Sequence, residues 1–341
     1  MKVGNLSQTV WRRDIKKKIQ ERRKEILFPL SAEEKVSMLK DTFQGEISQK
    51  EEPVFAWAQA SVGGEHEKTG VYAILRAADD LAAKGAEPIA VSAQILSPLR
   101  EREENIVCMA AAMEKLCEKL DMQITCIRAE GSPSVCQTIV HVTAAGIYRG
   151  GMCKEKIKGE REILLCGYAG LEGTLLIEAE AKEELGERFT PSFLRQTQSL
   201  EEMLCTPSVL LEAYAHGASA VQQIGSGGIL AGLWDLSESL GIGMEIELSH
   251  ILIRQETVEI CEYYQLNPYQ MTSAGSALIV TDKSAQLLAF FKRAGIRAGR
   301  LGVATDGKDR VITSGTEKRY LDRPAPDEWL RWQSERMNQK K

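Results

Sequence analysis

Histidine is scarce in this sequence: His66, His141, His216 and His250 are the four in 341 residues, and they are widely scattered. A histidine-rich metal centre is excluded, and no Ser–His–Asp set assembles from such positions. No CxxC pair occurs among the eight cysteines (Cys108, Cys117, Cys126, Cys136, Cys153, Cys166, Cys205 and Cys261), so zinc and iron–sulfur sites lack their ligand spacing. Most of these cysteines fall in apolar runs such as ENIVCMAAAM and are expected to be reduced, structural thiols. No apolar run reaches the roughly 18 residues that span a bilayer. The start, MKVGNLSQTVWRRD, has no secretory apolar core, so a cytoplasmic protein is expected. An excess of one charge is missing too: 43 Lys and Arg face 48 Asp and Glu, for a net charge of −5. Nothing therefore draws the chain as a whole to nucleic acid or to an anionic membrane.

What is present fits a globular α/β protein of two domains, with 43% hydrophobic and 27% charged residues. Residues 1–30 read as a basic amphipathic helix; within 1–24, nine Lys and Arg face Asp14 and Glu21. A solvated helix face explains those charges more simply than a nucleic-acid site, because no aromatic or glycine interleaving accompanies them. The first α/β domain is expected over 31–150, with 31–51 a loop and a short helix. Strands are predicted at 52–61, 89–96, 123–128 and 138–148, with helices from 69 to Gly85 and over 101–120. The glycine- and charge-rich stretch 149–160 marks the boundary. The second domain, 151–323, alternates strands at 162–166, 219–224, 245–247, 276–281, 300–304 and 310–313 with helices at 175–185, 208–216, 229–240 and 285–294. A polar tail, 324–341, carries Trp329 and Trp332 and reads as a docked helix.

Two glycine clusters sit where a strand turns into a helix: Gly167-Tyr-Ala-Gly170-Leu-Glu-Gly173, and Gly225-Ser226-Gly227-Gly228. Unpaired backbone N–H groups and the helix dipole converge at such junctions and suit a phosphate. Neither matches the P-loop or the dinucleotide fingerprint, and a tight turn with no ligand explains each equally well. Among the acids, Asp79 and Asp80 diverge by about 100° on their helix, so one is expected to face a site and the other solvent. Glu130 is placed in a loop directly after a strand, a common position for functional groups in α/β folds.

Four strings in order resemble the aminoimidazole ribonucleotide synthetase superfamily: AADDLAAKGAEPIAVS (77–92), CGYAGLEGT (166–174), GSGGILAGLWDLSESLGIGMEIE (225–247) and RQETVEICEYYQLNPYQMTSAGSALIV (254–280). The last is similar to its version in hydrogenase maturation factors. The resemblance implies two α/β domains with mixed sheets flanked by helices, a homodimer formed through first-domain sheets, and ATP held with Mg²⁺ on carboxylates from several loops. It also implies phosphorylation or activation of a small-molecule acceptor. Carried over position by position, it assigns Asp80, Glu130 and Glu34 to the metal, and Gly170, Gly173, Gly225, Ser226, Gly227 and Gly228 to the nucleotide. No residue is assigned to catalysis. Two acids of the pattern are neutral here, at Ala60 and Gln223. No cysteine follows Cys261, which does not fit the C-terminal cysteine of the hydrogenase maturation dehydratase. Two readings follow: an ATP- and Mg²⁺-dependent enzyme acting on a small molecule, or a catalytically degenerate relative that binds a nucleotide, another ligand or a partner as a dimer.

Overall fold

A computed structural model describes residues 36–40, 54–150 and 161–339. The basic segment 1–30, Glu34 and Cys153 lie outside the described residues. The chain divides into two compact units, with the division after Gly150.

The first unit runs β1 (Val36–Lys40), β2 (Val54–Gly63), α1 (Lys68–Ala83), β3 (Ala86–Ser97), α2 (Glu103–Lys119), β4 (Gln123–Gly131) and β5 (Ile139–Tyr148). Its five strands form one sheet in the order β1-β2-β5-β3-β4, antiparallel except for the parallel pair β3–β4. Period-two alternation decides the faces. Ala56, Ala58, Val62, Ala93, Ile95, Val140, Val142 and Ala144 are buried beneath α1. The alanines of α1 let it approach closely, and a methyl group on Gly70 would strike the Met113 side chain of α2. Gly85 ends the passage with φ +75°, its N–H donating to the Ala82 carbonyl at 2.9 Å. The opposite face, with Phe55, Ala145 and Ile139, is exposed in the single chain.

Two local expectations are corrected here. Residues 36–40 are not loop or helix but strand β1, in register with β2 from Val36–Ala58 to Lys40–Val54. Glu130 is not in a loop: β4 continues through it to Gly131, because the turn residues begin only at Ser132.

The second unit comprises β6 (Arg161–Cys166), α3 (Leu171–Glu180), α4 (Lys182–Arg188), α5 (Pro191–Ser199), α6 (Pro207–Ala215), β7 (Ala218–Gln223), α7 (Gly228–Leu240), β8 (Gly243–Glu247), α8 (Gln255–Tyr263), β9 (Ala277–Thr281), α9 (Ser284–Arg293), β10 (Ala298–Thr305), β11 (Arg310–Ser314), β12 (Glu317–Tyr320) and α10 (Glu328–Gln339). Its seven-stranded sheet is ordered β12-β11-β8-β10-β6-β9-β7, with β8–β11 the parallel pair. β6 and β9 lie inside the sheet and read as apolar runs, as strands covered on both faces do. Leu165, Leu278, Val280, Ile229, Leu233 and Leu301 belong to one continuous core. The helix expected over 175–185 is two helices, α3 and α4, broken at Ala181.

Gly302 of β10 is wedged between strands: a Cβ there would overlap the Glu245 carbonyl oxygen and lie 2.9 Å from the Ile246 Cα. Gly302→Ala is expected to destabilise the second unit by about 1–3 kcal/mol. Thermal unfolding should register this as about 2–4 °C for each kcal/mol; an unchanged midpoint would contradict the packing.

Candidate functional site

The first glycine turn is closed from within. Gly170 caps α3 at φ +74°, and a Cβ on it would lie 2.9 Å from Thr257 Cγ2. Its N–H donates to Ser273 Oγ at 2.6 Å, and the Gly173 N–H donates to the Thr272 carbonyl at 3.1 Å. Glu172, buried in the first turn of α3, accepts from Thr272 Oγ1 and from the Ala274 N–H, both at 2.7 Å. A carboxylate at that end of the helix also complements its dipole.

The second turn is closed by an acid from far along the chain. β7 ends at Gln223, and α7 is capped by Gly227 at φ +85°. The Gly227 N–H donates to Asp327 Oδ2 at 2.7 Å, while Asp327 Oδ1 accepts from the Trp329 N–H at 2.8 Å. Asp327, 3% exposed, thus caps its own helix, α10, and the glycine turn together. A helix N-terminus is a ready anion site, and here the anion is a carboxylate of the same chain. The Cβ position of Gly228 lies 2.6 Å from the Tyr269 carbonyl oxygen and 2.7 Å from that of Met271. Gly173 also abuts the Met271 side chain. The sequence strings at 166, 225 and 254 therefore meet at Met271, and their glycines permit that approach.

The two candidate metal ligands among the described residues, Asp80 and Glu130, do not come together within one chain. Asp79 and Asp80 are both buried in α1, so neither is the solvated acid that their divergence predicts. Arg76 stands one turn before them, at the spacing where side chains on a helix interact. Glu130 is exposed; it pairs with Leu96, whose own partner across the sheet is Ile139, on the face away from α1. Asp80 and Glu130 thus lie on opposite sides of the sheet. Among the described residues no group of three His, Cys, Asp or Glu could hold a metal ion. Asp80 and Glu130 of one chain therefore do not share one Mg²⁺ ion. Gln223, where the resemblance expects an acid, is wholly buried with neither Nε2 nor Oε1 partnered among the described residues. A neutral amide is far cheaper to bury than a carboxylate. Ala60 lies in β2 opposite Val142.

The cysteines divide in two. Cys117, Cys166, Cys205 and Cys261 are buried, and burial pushes the thiols of Cys117 and Cys261 up to about 11 and about 12. Cys108, Cys126 and Cys136 are exposed, so the expected structural role extends to the buried four.

Sequence reasoning missed Asp327 and the pair Arg254–Glu256. Asp327 carries a visible cap signal, an acid just before an amphipathic helix, but not the identity of its second partner. Glu256 accepts from Arg254 Nε at 3.2 Å and Nη2 at 3.1 Å, and from Gln196 Nε2 at 2.7 Å. Burial is the largest influence on Glu256 and opposes its charge. The hydrogen bonds from Arg254, its own backbone N–H and Gln196 outweigh it and hold the carboxyl below the ordinary carboxylate range.

The family described as "AIR synthase related protein, N-terminal domain" matches residues 49–148, and its "C-terminal domain" counterpart matches residues 160–314. This chain belongs to the AIR synthase related family. A curated relative, phosphoribosylformylglycinamidine synthase subunit PurL of Caldanaerobacter subterraneus subsp. tengcongensis, is 28% identical over 156 residues, covering 44% of this chain and 20% of PurL. The chain thus spans about a fifth of that relative's length. Among solved structures, the HypE–HypF complex aligns with TM-score 0.64 at 16% identity, covering 83% of this chain and 97% of that one. The hydrogenase maturation protein HypE in complex with ATP aligns with TM-score 0.63 at 13% identity, covering 86% and 90%. AaThiL complexed with AMPPCP and TMP gives TM-score 0.61 at 15% identity, covering 81% and 87%. At such identities these structures show the shared fold. No helix among the described residues is long and apolar enough to cross a membrane.

Asp327→Ala removes acceptors from two helix N-termini and should cost about 1–3 kcal/mol, read as a lower unfolding midpoint of the second unit. An unchanged midpoint would show that the turn is held by something else. For Glu256 the sign follows from its lowered value. Its contribution is present above the unfolded carboxylate range, about 4.3, and is lost as pH falls through the lower folded value. Glu256→Gln should therefore lower stability at neutral pH and flatten its decline in acid. An acid limb as steep as that of the unmodified chain would contradict this.

Proposed function

We propose that this chain is a nucleotide-binding member of its family that binds without transferring phosphate. The observation that carries the reading is the Asp327 carboxylate seated on the Gly227 N–H, the position a phosphate would take at the second glycine turn. Phosphoryl transfer needs charge neutralisation and alignment around the reacting group. The described candidate acids, Asp80 and Glu130, lie on opposite sides of one sheet, which supports loss of transfer more than loss of binding. Nucleotide binding draws its support from family membership and from relatives whose structures hold ATP or AMPPCP. The glycines at 170, 173 and 225–228 then act as packing positions, and the nucleotide is assigned to the first unit's side of the protein.

The second reading, an ATP- and Mg²⁺-dependent enzyme acting on a small molecule, is favoured by one observation: two consecutive carboxylates, Asp79 and Asp80, are buried on an alanine-rich helix. Acids in such surroundings are more often functional than decorative. A homodimer through the open face of the first sheet completes the proposal, with apolar Phe55 and Ile139 and the small Ala145 on that face.

Thermal unfolding with millimolar ATP or ADP, with and without Mg²⁺, separates the readings. At about a hundred times its dissociation constant a nucleotide adds about 2.7 kcal/mol, a rise of several degrees. Binding without turnover predicts that rise and no ADP from ATP; Mg²⁺-dependent ADP release abolished by Asp80→Asn would establish the enzyme instead. No rise with any nucleotide would remove nucleotide binding. Light scattering should give twice 37.8 kDa, and Ala145→Glu, a charge on an exposed site in the single chain, should give the monomer. A monomeric unmodified chain would contradict the dimer.

A further inference from the structure

The second unit contains a cavity of about 560 Å³ beside the first glycine cluster, which contributes Tyr168 to its lining. Its size lies within the range of small-ligand sites, about 300–1,000 Å³. Three of its nine lining residues are aromatic. Phe189, just after α4, and Phe193 of α5 stack with ring centres 4.5 Å apart and planes 15° from parallel. Thr190 fixes the start of α5 by accepting from the Phe193 N–H at 3.3 Å, which sets the angle of that ring pair. The third ring is Tyr168. A parallel bridge between Ala169 and Ile253, with the Ala169 N–H donating to the Leu252 carbonyl at 2.9 Å, pins this ring beside Arg254. The guanidinium carbon of Arg254 stands 5.6 Å from the Tyr168 ring centre.

Charge decides what such a space would hold. The lining carries one arginine, Arg254, against two glutamates, Glu256 and Glu259. Glu256, its side chain 3% exposed, binds Arg254 through two of its nitrogens, so an incoming anion meets a guanidinium already neutralised. Glu259 remains, and its Oε1 accepts from the neutral amide of Gln255 at 3.1 Å. A carboxylate beside ring faces in a partly enclosed space attracts positive charge through both its own field and the ring quadrupoles. Flat apolar bodies stack on the same rings.

We propose that this cavity binds a small organic cation with a planar apolar body, its charge toward Glu259 and its ring against Phe193 and Tyr168. The class includes aromatic amidinium and heteroaromatic cations. The proposal stands apart from the nucleotide reading, because every residue in it lies in the second unit, whereas that reading assigns the nucleotide to the first; Tyr168 alone belongs to a glycine turn, the one closed by Ser273.

Three probes of one shape test it on the full chain: benzamidinium, benzamide and benzoate, titrated by ligand-observed NMR with calorimetry. Benzamidinium should bind about tenfold tighter than benzoate, with benzamide between. Glu259→Gln should remove most of that preference while leaving benzamide binding in place. Phe193→Leu keeps the apolar volume, removes a ring face and should weaken benzamidinium several-fold. Its circular dichroism should match the unmodified chain, so it tests the site should Glu259→Gln unfold. Benzoate binding as tightly as benzamidinium would overturn the proposal. So would the absence of saturable benzamidinium binding at about 10 mM, or a preference unchanged by Glu259→Gln and a binding strength unchanged by Phe193→Leu.

Discussion

A single carboxylate ties the second unit together. Asp327 gives one oxygen to the N-terminus of its own helix and the other to the N–H of Gly227, a hundred residues earlier in the chain. Each contact alone is an ordinary cap. Jointly they decide where α10 lies, and with it the stacked indoles of Trp329 and Trp332, whose centres are 5.1 Å apart, and the edge contact of Trp332 with Tyr264. Arg331 adds a donor to the Gln265 carbonyl, and Arg336 pairs with Glu184. The same carboxylate gives the positive end of α7 its anion, so the turn is electrostatically satisfied without a ligand.

That constraint shows how packing by itself can hold the glycine turns of the family scaffold in place. The glycines at 170, 173 and 228 are required by the approach of the 268–272 segment, whatever happens at a phosphate. Packing alone therefore preserves the strings that carry the resemblance. The acids have no such protection. At Gln223, where the resemblance expects an acid, a buried amide sits without a partner among the described residues, and a neutral group costs less to bury there than a carboxylate.

Much of this architecture was legible in the sequence, for physical reasons that also mark where reading fails. Strands such as β5 and β9 and helices such as α2 announce themselves through period, and Gly85 ends α1 because no other residue adopts that conformation as freely. Strand β1 was not legible: five residues in a polar stretch carry too little pattern, and pairing with β2 supplies the missing energy. The break at Ala181 has no glycine or proline to signal it. Glu130 looked like a loop residue because turn chemistry follows closely, yet β3 holds it in register. The site was less legible than the fold. Motif order located the glycine turns, but whether their N–H groups stay open depends on Ser273 and Asp327, partners about a hundred residues away that local pattern does not reveal. For Asp80 and Glu130, sheet parity put them on opposite sides, and parity cannot be assigned before register is known.

Amide hydrogen exchange at Gly227, followed with and without MgATP, addresses the closed turn most directly. A turn capped by Asp327 should show a protected Gly227 amide in the ligand-free protein, unchanged by nucleotide and exposed by Asp327→Ala. Rapid exchange in the free protein, with protection appearing only when MgATP is added, would show instead that the turn is open and receives phosphate.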